Sequence, residues 1–298
     1  MTGELPAVLA FGIVDAAVLA VAAVAFTLQF GVTNYFNFGY SEWLTFGAFI
    51  AYVMNVQLFH LNIWVAMPIA GVATALLSYV INRVVFLPFV KRRSETLYIL
   101  IVTLAVGLLL NNAYIVIWGT AYQEYAQPPR DMHQLGPITI GTDQIAFFAI
   151  AIALMLATHA ILSYTRLGRS MRAIADDRQL AAVCGLDPER LADATWLMTG
   201  AMAGIAGVIL AMQVHTFGPD IGANYTYLIF PAVIIGGIGR AYGAMLGATI
   251  IGVLTTLGVL IIPAALSPTL IFAAIVVMVL FRPQGLLGGL SHGHMQEV

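Results

Sequence analysis

Residues 143–164 read DQIAFFAIAIALMLATHAILSY, residues 165–192 read TRLGRSMRAIADDRQLAAVCGLDPERLA, and residues 193–215 read DATWLMTGAMAGIAGVILAMQVH. Each outer run is long and apolar enough to cross a hydrocarbon core of about 30 Å as a helix, the conformation that satisfies its own backbone polar groups away from water. The segment between them carries Arg166, Arg169, Arg172, Arg178 and Arg190. Arginine-rich connections between spans stay on the cytoplasmic side. These three stretches together predict an all-α, polytopic transmembrane bundle with residues 165–192 on its inner face.

The same reading extends outward. Further apolar runs lie at about 7–30, 41–58, 62–86, 97–118, 226–239, 243–262 and 268–281, giving about nine crossings, or eight to ten with the short seventh and ninth counted as tilted, broken or re-entrant. With Arg83 to Arg93 placed inside, parity sends Arg240 and Arg282 inside as well, and of the twelve cations Arg130 alone falls outside. A wrong count of spans would scatter the cations over both faces, so the asymmetry supports count and direction together. One transmembrane domain, 1–298, is predicted, with its N-terminus outside, an external loop at 119–142, a cytoplasmic loop at 165–192 and a cytoplasmic tail at 283–298.

Composition agrees and excludes alternatives. Of the 298 residues, 61% are hydrophobic and 9% charged, with a mean hydropathy of +0.93, whereas a soluble surface needs about a quarter of its residues charged. A net charge of -2 leaves no cationic surface for nucleic acid. The start of the chain has Glu4 and no Lys or Arg before the first apolar run, unlike a cleavable signal, so the first span is expected to remain. Cys184 is the single cysteine and is read as a small buried residue. No resident metal is expected, since His292 and His294 have no third ligand near them in sequence.

The inner loop has internal grammar. On a helix beginning near Gly168, Arg169, Arg172, Asp176 and Gln179 share one face, while Met171, Ile174, Ala175 and Ala182 share another. Gly185 suits a helix stop, and Asp187 followed by Pro188 and Glu189 suits a cap, a first turn and an acid at the positive end of the next helix. Composition alone leaves two readings, a solvated connector or a structured contact surface.

Four blocks carry a resemblance. GRSMRAIADDRQLAAVCGL (168–186) followed by AGIAGVILA (203–211), FGVTNYFNFGYSEWLTFGAFIAY (30–52), PAVIIGGIGRAYGAMLGA (231–248) and FRPQGLLG (281–288) together resemble the permease subunits of branched-chain amino acid importers of the LivH kind, which are driven by an ATP-binding cassette. Gly39, Tyr40 and Ser41 stand where that family usually has Ala-His-Gly before the acid, and Arg240 stands where a small polar residue is usual. The resemblance implies that the loop helix docks into a cleft of an ATPase, a role that position carries onto Gly168, Arg169, Arg172, Ala173, Asp176, Ala181, Ala182 and Gly185. It also implies partners: a second permease subunit, homologous or identical, two cytoplasmic ATPase subunits that hold ATP and magnesium, and a periplasmic binding protein. The setting is a bacterial cytoplasmic membrane. The chain itself needs no cofactor; its one lysine, Lys91, follows Val90, so the Gly-Lys pair of a P-loop is missing.

A carboxylate within a span costs about 2.5–3.5 kcal/mol on insertion scales, which singles out Asp15 and Glu42. Asp15 reads as facing either a water-filled cavity or an interhelical hydrogen bond. Asn34, Asn37, Tyr40 and Glu42 form a polar stretch that must be buried in protein, line a cavity or reach the surface. Asn34 and Asn37, three apart, would share a face on a helix and suit either a passing zwitterion or the closure of a helix break. Asn111, Asn112, His159, Thr195 and Thr199 are expected to bond between helices. Gly204, Gly207, Gly236, Gly237, Gly239, Gly243 and Gly247 are expected at close helix contacts, as packing or as a moving interface.

Three functions follow for comparison. An importer permease powered by partners fits the blocks above. A stand-alone secondary transporter or channel would rest on ionisable groups in mid-bundle, of which Asp15 is the candidate. An intramembrane enzyme would need a nucleophile and base or a metal set, and neither His-Glu-x-x-His nor Gly-x-Ser-x-Gly occurs. Urea, short amides and aromatic acids stand beside apolar amino acids as solutes handled by relatives.

Overall fold

The computed structural model describes residues 5–92, 95–126, 132–135, 138–258, 263 and 266–287, with the backbone alone at 5–10, 132–135 and 138–140. Arg93, Arg130, His292 and His294, and with them most of the tail, lie outside the described residues.

The chain is a helical bundle, and each apolar run of the sequence carries a helix among its described residues. In order they are α1 (Leu5–Thr33), α2 (Ser41–Tyr52), α3 (Ile63–Ile81), α4 (Leu87–Lys91), α5 (Thr96–Trp118), α6 (Thr142–Tyr164), α7 (Arg166–Asp176), α8 (Arg178–Val183), α9 (Pro188–Val214), α10 (Ile221–Gly236), α11 (Ala241–Gly258) and α12 (Ser267–Phe281). A π-helical turn at Val53–Leu58 prolongs α2, and another at Asn82–Phe86 joins α3 to α4. Among the described residues, six helices are long and apolar enough to span a membrane, while α10 and α12 are apolar but shorter. The chain is therefore a multi-pass membrane protein.

Small strands are the departure from a purely helical reading. Met132–Leu135 (β2) pairs antiparallel with Ile138–Gly141 (β3) in the long loop, and Gln123–Glu124 (β1) pairs with Thr216–Phe217 (β4). Strands of two to four residues are too short for alternation to give a signal to read.

α1 forms the axis of the bundle. Every residue from Ala16 to Phe26 is buried, against α11 and α9. Gly252 of α11 lies so close to Ala16 that a Cβ added there would sit 2.7 Å from the Ala16 Cα, a separation that only glycine permits. The other glycines of the predicted set divide into two kinds. Gly204 and Gly207 meet α2, Gly236 faces Gly243, and Gly247 faces the Ala232 carbonyl. Gly237 and Gly239 instead have φ of +104° and +84° and turn the chain between α10 and α11, a backbone conformation that favours glycine.

The described cations gather at one end. Arg83 meets Asp193 and Lys91 meets Glu189 there, and Arg172 and Arg240 line one groove. At the opposite end, the loop end, Asn55 donates to the Leu61 carbonyl at 2.7 Å and accepts from the Ala126 amide at 2.9 Å, clamping the long loop to the π turn.

Candidate functional site

At the arginine end, the 165–192 segment is an ordered assembly of short helices. Thr165 caps α7, its Oγ1 accepting from the Gly168 amide at 3.1 Å while donating to the Ile161 carbonyl. Gly168 is buried against the last turn of α6, and a Cβ there would overlap Ile161 and Leu162 backbone. Met171 and Ile174 point inward with it; Arg169, Arg172, Ala173 and Asp176 are exposed. A polar face thus stands clear of the bundle on a helix whose base glycine anchors.

The single helix expected from Gly168 to Gly185 is two helices. Asp177 adopts φ -151° and caps α8, its Oδ1 accepting from the Gln179 and Leu180 amides at 2.8 and 2.9 Å. Asp-Asp followed by Arg-Gln carries that capping signal in the sequence. The break undoes the second shared face as written: Ala175 and Ala182 are exposed, and Ala181 is buried instead. Cys184 is exposed too, against the expectation of burial, because it follows the last turn of α8. Gly185 at φ +89° stops α8, and the Leu186 amide closes onto the Ala181 carbonyl at 3.1 Å. Asp187 then caps α9, with Pro188 at its first position.

A second set of groups, overlooked in sequence, ties this assembly to the spans. Asp193, buried in the first turns of α9, meets Arg83 at 2.5 Å and accepts from Asn82 Nδ2 at 3.1 Å. Lys91 and Glu189 are 2.9 Å apart. The π turn at 82–86 rotates Asn82 and Arg83 toward α9, a shift that the regular period of 3.6 residues does not anticipate.

The polar stretch after α1 is buried in protein. Asn34 has φ +59° and its amide donates to the Phe30 carbonyl at 2.7 Å, ending α1 as a left-handed cap. Asn37 is buried in extended backbone, its Oδ1 accepting from the Gly39 amide at 3.1 Å. The two asparagines therefore share no helical face. Tyr40 reaches back to the Ala22 carbonyl at 2.9 Å, and Glu42 is buried in the first turn of α2, where Asn111 approaches its carboxyl group. Gly222, at the start of α10, meets Ser41, and its amide donates to Thr45 Oγ1 at 3.1 Å. Two short helices thus begin against each other inside the bundle, which places the helix ends and Glu42 in its interior.

Several expected interhelical bonds are local. Thr195, Thr199 and Asn112 each bond the carbonyl four residues back, because a helical hydroxyl or amide reaches its own preceding turn most easily. His159 does cross, to the Tyr242 hydroxyl at 2.6 Å, and Asn111 crosses to the Pro219 carbonyl at 2.9 Å. Asp15 faces a cavity at the loop end, between α1, the end of α9 and α10.

Comparison with known proteins places this geometry. A family described as "Branched-chain amino acid transport system / permease component" matches residues 8–281. The chain is 28% identical to the high-affinity branched-chain amino acid transport system permease protein BraD of Pseudomonas aeruginosa, over 93% of this chain and 94% of the relative. It is 26% identical to the permease protein LivH of the same kind of system in Escherichia coli, over 93% of each. Against the permease protein LivM of Escherichia coli it is 24% identical, over 95% of this chain and 71% of the relative.

Proposed function

The chain belongs to the branched-chain amino acid transport permease family, and from that premise we propose that it is the membrane-spanning subunit of an ATP-binding-cassette importer for branched-chain or other apolar amino acids. In this reading the arginine end faces the cytoplasm of a bacterial inner membrane, the loop end faces a periplasmic binding protein, and two ATPase subunits supply the work. Similarity to both LivH and LivM favours a paired permease, in which this chain meets a homologous chain or a second copy of itself.

The observation that carries the reading is the seating of α7. Its Gly168 is locked to α6, while Arg169, Arg172, Ala173 and Asp176 stand exposed. A rigid, charged ledge at the end of a bundle suits a contact that transmits force, because displacement of the ledge must move α6 and, through Asp187 and α9, the core. ATP-driven closure of the ATPases pushes on this ledge and shifts the bundle between its two access states.

The test is capture of candidate ATPase subunits, co-expressed from the same genome, by the tagged permease in detergent. Arg172→Glu reverses charge on the ledge and is expected to cut capture about tenfold while leaving insertion and yield intact. Capture equal to the unaltered chain would remove α7 from the interface.

A further inference from the structure

At the arginine end a groove of about 440 Å³ opens between α7 and the start of α11, with the last turns of α1 as its floor. Its base is hydrocarbon: Leu28, Val32, Leu162 and Met171 line it and are otherwise buried in the bundle. Its rim is charged. Arg172 stands on the α7 wall and Arg240 on the wall that begins α11, and Asp176 is the one acid among the described lining residues, so cations exceed carboxylates there. Arg240 is half-buried, and its guanidinium donates to the Leu287 carbonyl, which fixes the side chain and leaves its remaining N–H donors uncommitted among the described residues.

The depth of the groove in the membrane is a second, independent observation. Tyr242 and Ser163 line it, and each ends an outward row of its own helix. On α11 the exposed Leu246 and Ile250 follow Tyr242 on successive turns, and on α6 the exposed Leu156 and Ile152 precede Ser163 in the same way. The rows flank α1, which packs against both helices, and His159 joins them, its Nδ1 lying 2.6 Å from the Tyr242 hydroxyl. Tyr242 and Tyr164 are exposed beside the arginines, and tyrosines so placed mark the boundary between hydrocarbon and headgroups. A cationic rim thus sits at headgroup depth, and two apolar rows lead from it into the hydrocarbon layer.

We infer that this groove holds one anionic phospholipid, with its phosphodiester between Arg172 and Arg240 and its acyl chains along the rows on α6 and α11. The two halves of the site select the class together. A free phosphate ion makes no use of the hydrocarbon base, and a zwitterionic lipid brings its own cation to a rim that is already positive. The guanidinium fork suits a phosphate oxygen pair, and basic pockets between spans take such headgroups. A lipid seated there bridges α7 to the turn that begins α11 and so fastens the ledge at a second place besides Gly168. Arg240 lies outside the ledge, and the test is made on it, so that lipid binding is read apart from ATPase capture.

The purified full-length chain is titrated in detergent with palmitoyl-oleoyl phosphatidylglycerol and with phosphatidylcholine of the same chains, and native mass spectrometry counts the lipids bound. Phosphatidylglycerol is expected to fill a first site about tenfold more tightly than phosphatidylcholine, and Arg240→Gln to erase that preference while leaving phosphatidylcholine unchanged. Arg240→Lys, which keeps the charge without the fork, is expected to keep part of the preference. Arg282→Gln, exposed at the same end but outside the lining, is expected to keep all of it. Inorganic phosphate and dihexanoyl phosphatidylglycerol, at equal concentration, are expected not to displace the long-chain lipid. Equal affinity for the two lipids, a preference untouched by Arg240→Gln or lost equally in Arg282→Gln, or displacement by phosphate would each overturn the proposal. A preference found only in dimers of the chain would overturn it too, by giving the groove to a contact between copies. Should Arg240→Gln fail to fold, Arg240→Lys and the competition on the unaltered chain still decide.

Discussion

Gly47 of α2 and Gly204 of α9 meet backbone to backbone, so that a Cβ added to Gly47 would lie 2.5 Å from the Gly204 Cα. Gly207 lies against the Leu44 carbonyl one turn along the same crossing. No hydrophobic effect drives helices together in lipid, and close backbone approach supplies the dispersion contacts that do. The obstructing atoms here are backbone, which cannot swing away as a side chain can. Gly47→Val is therefore expected to destabilise by about 3 kcal/mol, at the upper end for overpacking, whereas Gly141→Ala, with open space around it, stays within about 0.5 kcal/mol. The midpoint of thermal unfolding in detergent measures both, and equal midpoints would show that α2 and α9 separate freely.

Asp193 is buried and Arg83 is half exposed, so the pair is intermediate between a surface bridge and an interior one. Removing Arg83 leaves a buried carboxylate held by Asn82 alone. An orphaned buried charge is destabilising, and solvent at the Arg83 side moderates the loss. Arg83→Met is expected to show that loss in thermal unfolding, and Arg83→Met with Asp193→Leu to recover at least half of it. A double variant no better than the single one would mean that the two residues act independently.

How much of this was legible beforehand depends on where the information lies. The spans were legible, since each apolar run is a local property of the chain, and so were the Gly185 stop and the Asp187 cap, which are read over three or four residues. Asp177 carried the same capping signal as Asp187, but the continuous run of helix formers around it hid the break. The Arg83 to Asp193 pair joins residues more than a hundred positions apart through a π turn, and no local pattern encodes it. Asn34 and Asn37 misled for the opposite reason: spacing of three suggests a shared face only if the backbone is helical, and Asn34 ends the helix. The cavity around Asp15 combines α1, α9 and α10, which only the fold brings together.

Asn37 has two separable features, a cap acceptor at Oδ1 and a buried Nδ2 without a partner among the described residues. Asn37→Ser keeps an acceptor suited to the Gly39 amide, and Asn37→Leu removes it. The cap is worth about 1 kcal/mol, more when the abandoned amide is buried. Uptake in reconstituted vesicles is expected to fall with Asn37→Leu and to be restored by Asn37→Ser, in step with thermal stability. A stable Asn37→Ser protein that does not transport would instead give Nδ2 a contact with the solute.

The seating of α7 makes its own demand on a single residue. Gly168 touches the Ile161 carbonyl and the Leu162 backbone, and the Thr165 cap fixes the entry angle of the helix just before it. A valine at 168 cannot be accommodated by side-chain adjustment, so α7 must lift from the end of α6. The spans are held mainly by other contacts, since α1 packs along α9 and along α11. Gly168→Val is therefore expected to keep the thermal midpoint within a few degrees while lowering ATPase capture about as far as Arg172→Glu does. Gly185→Ala, strained by its φ of +89° but unobstructed, costs about 1–2 kcal/mol locally and is expected to lower capture less. Capture measured per mole of purified permease orders the three variants, and full capture by Gly168→Val would show that the ledge transmits nothing through α6.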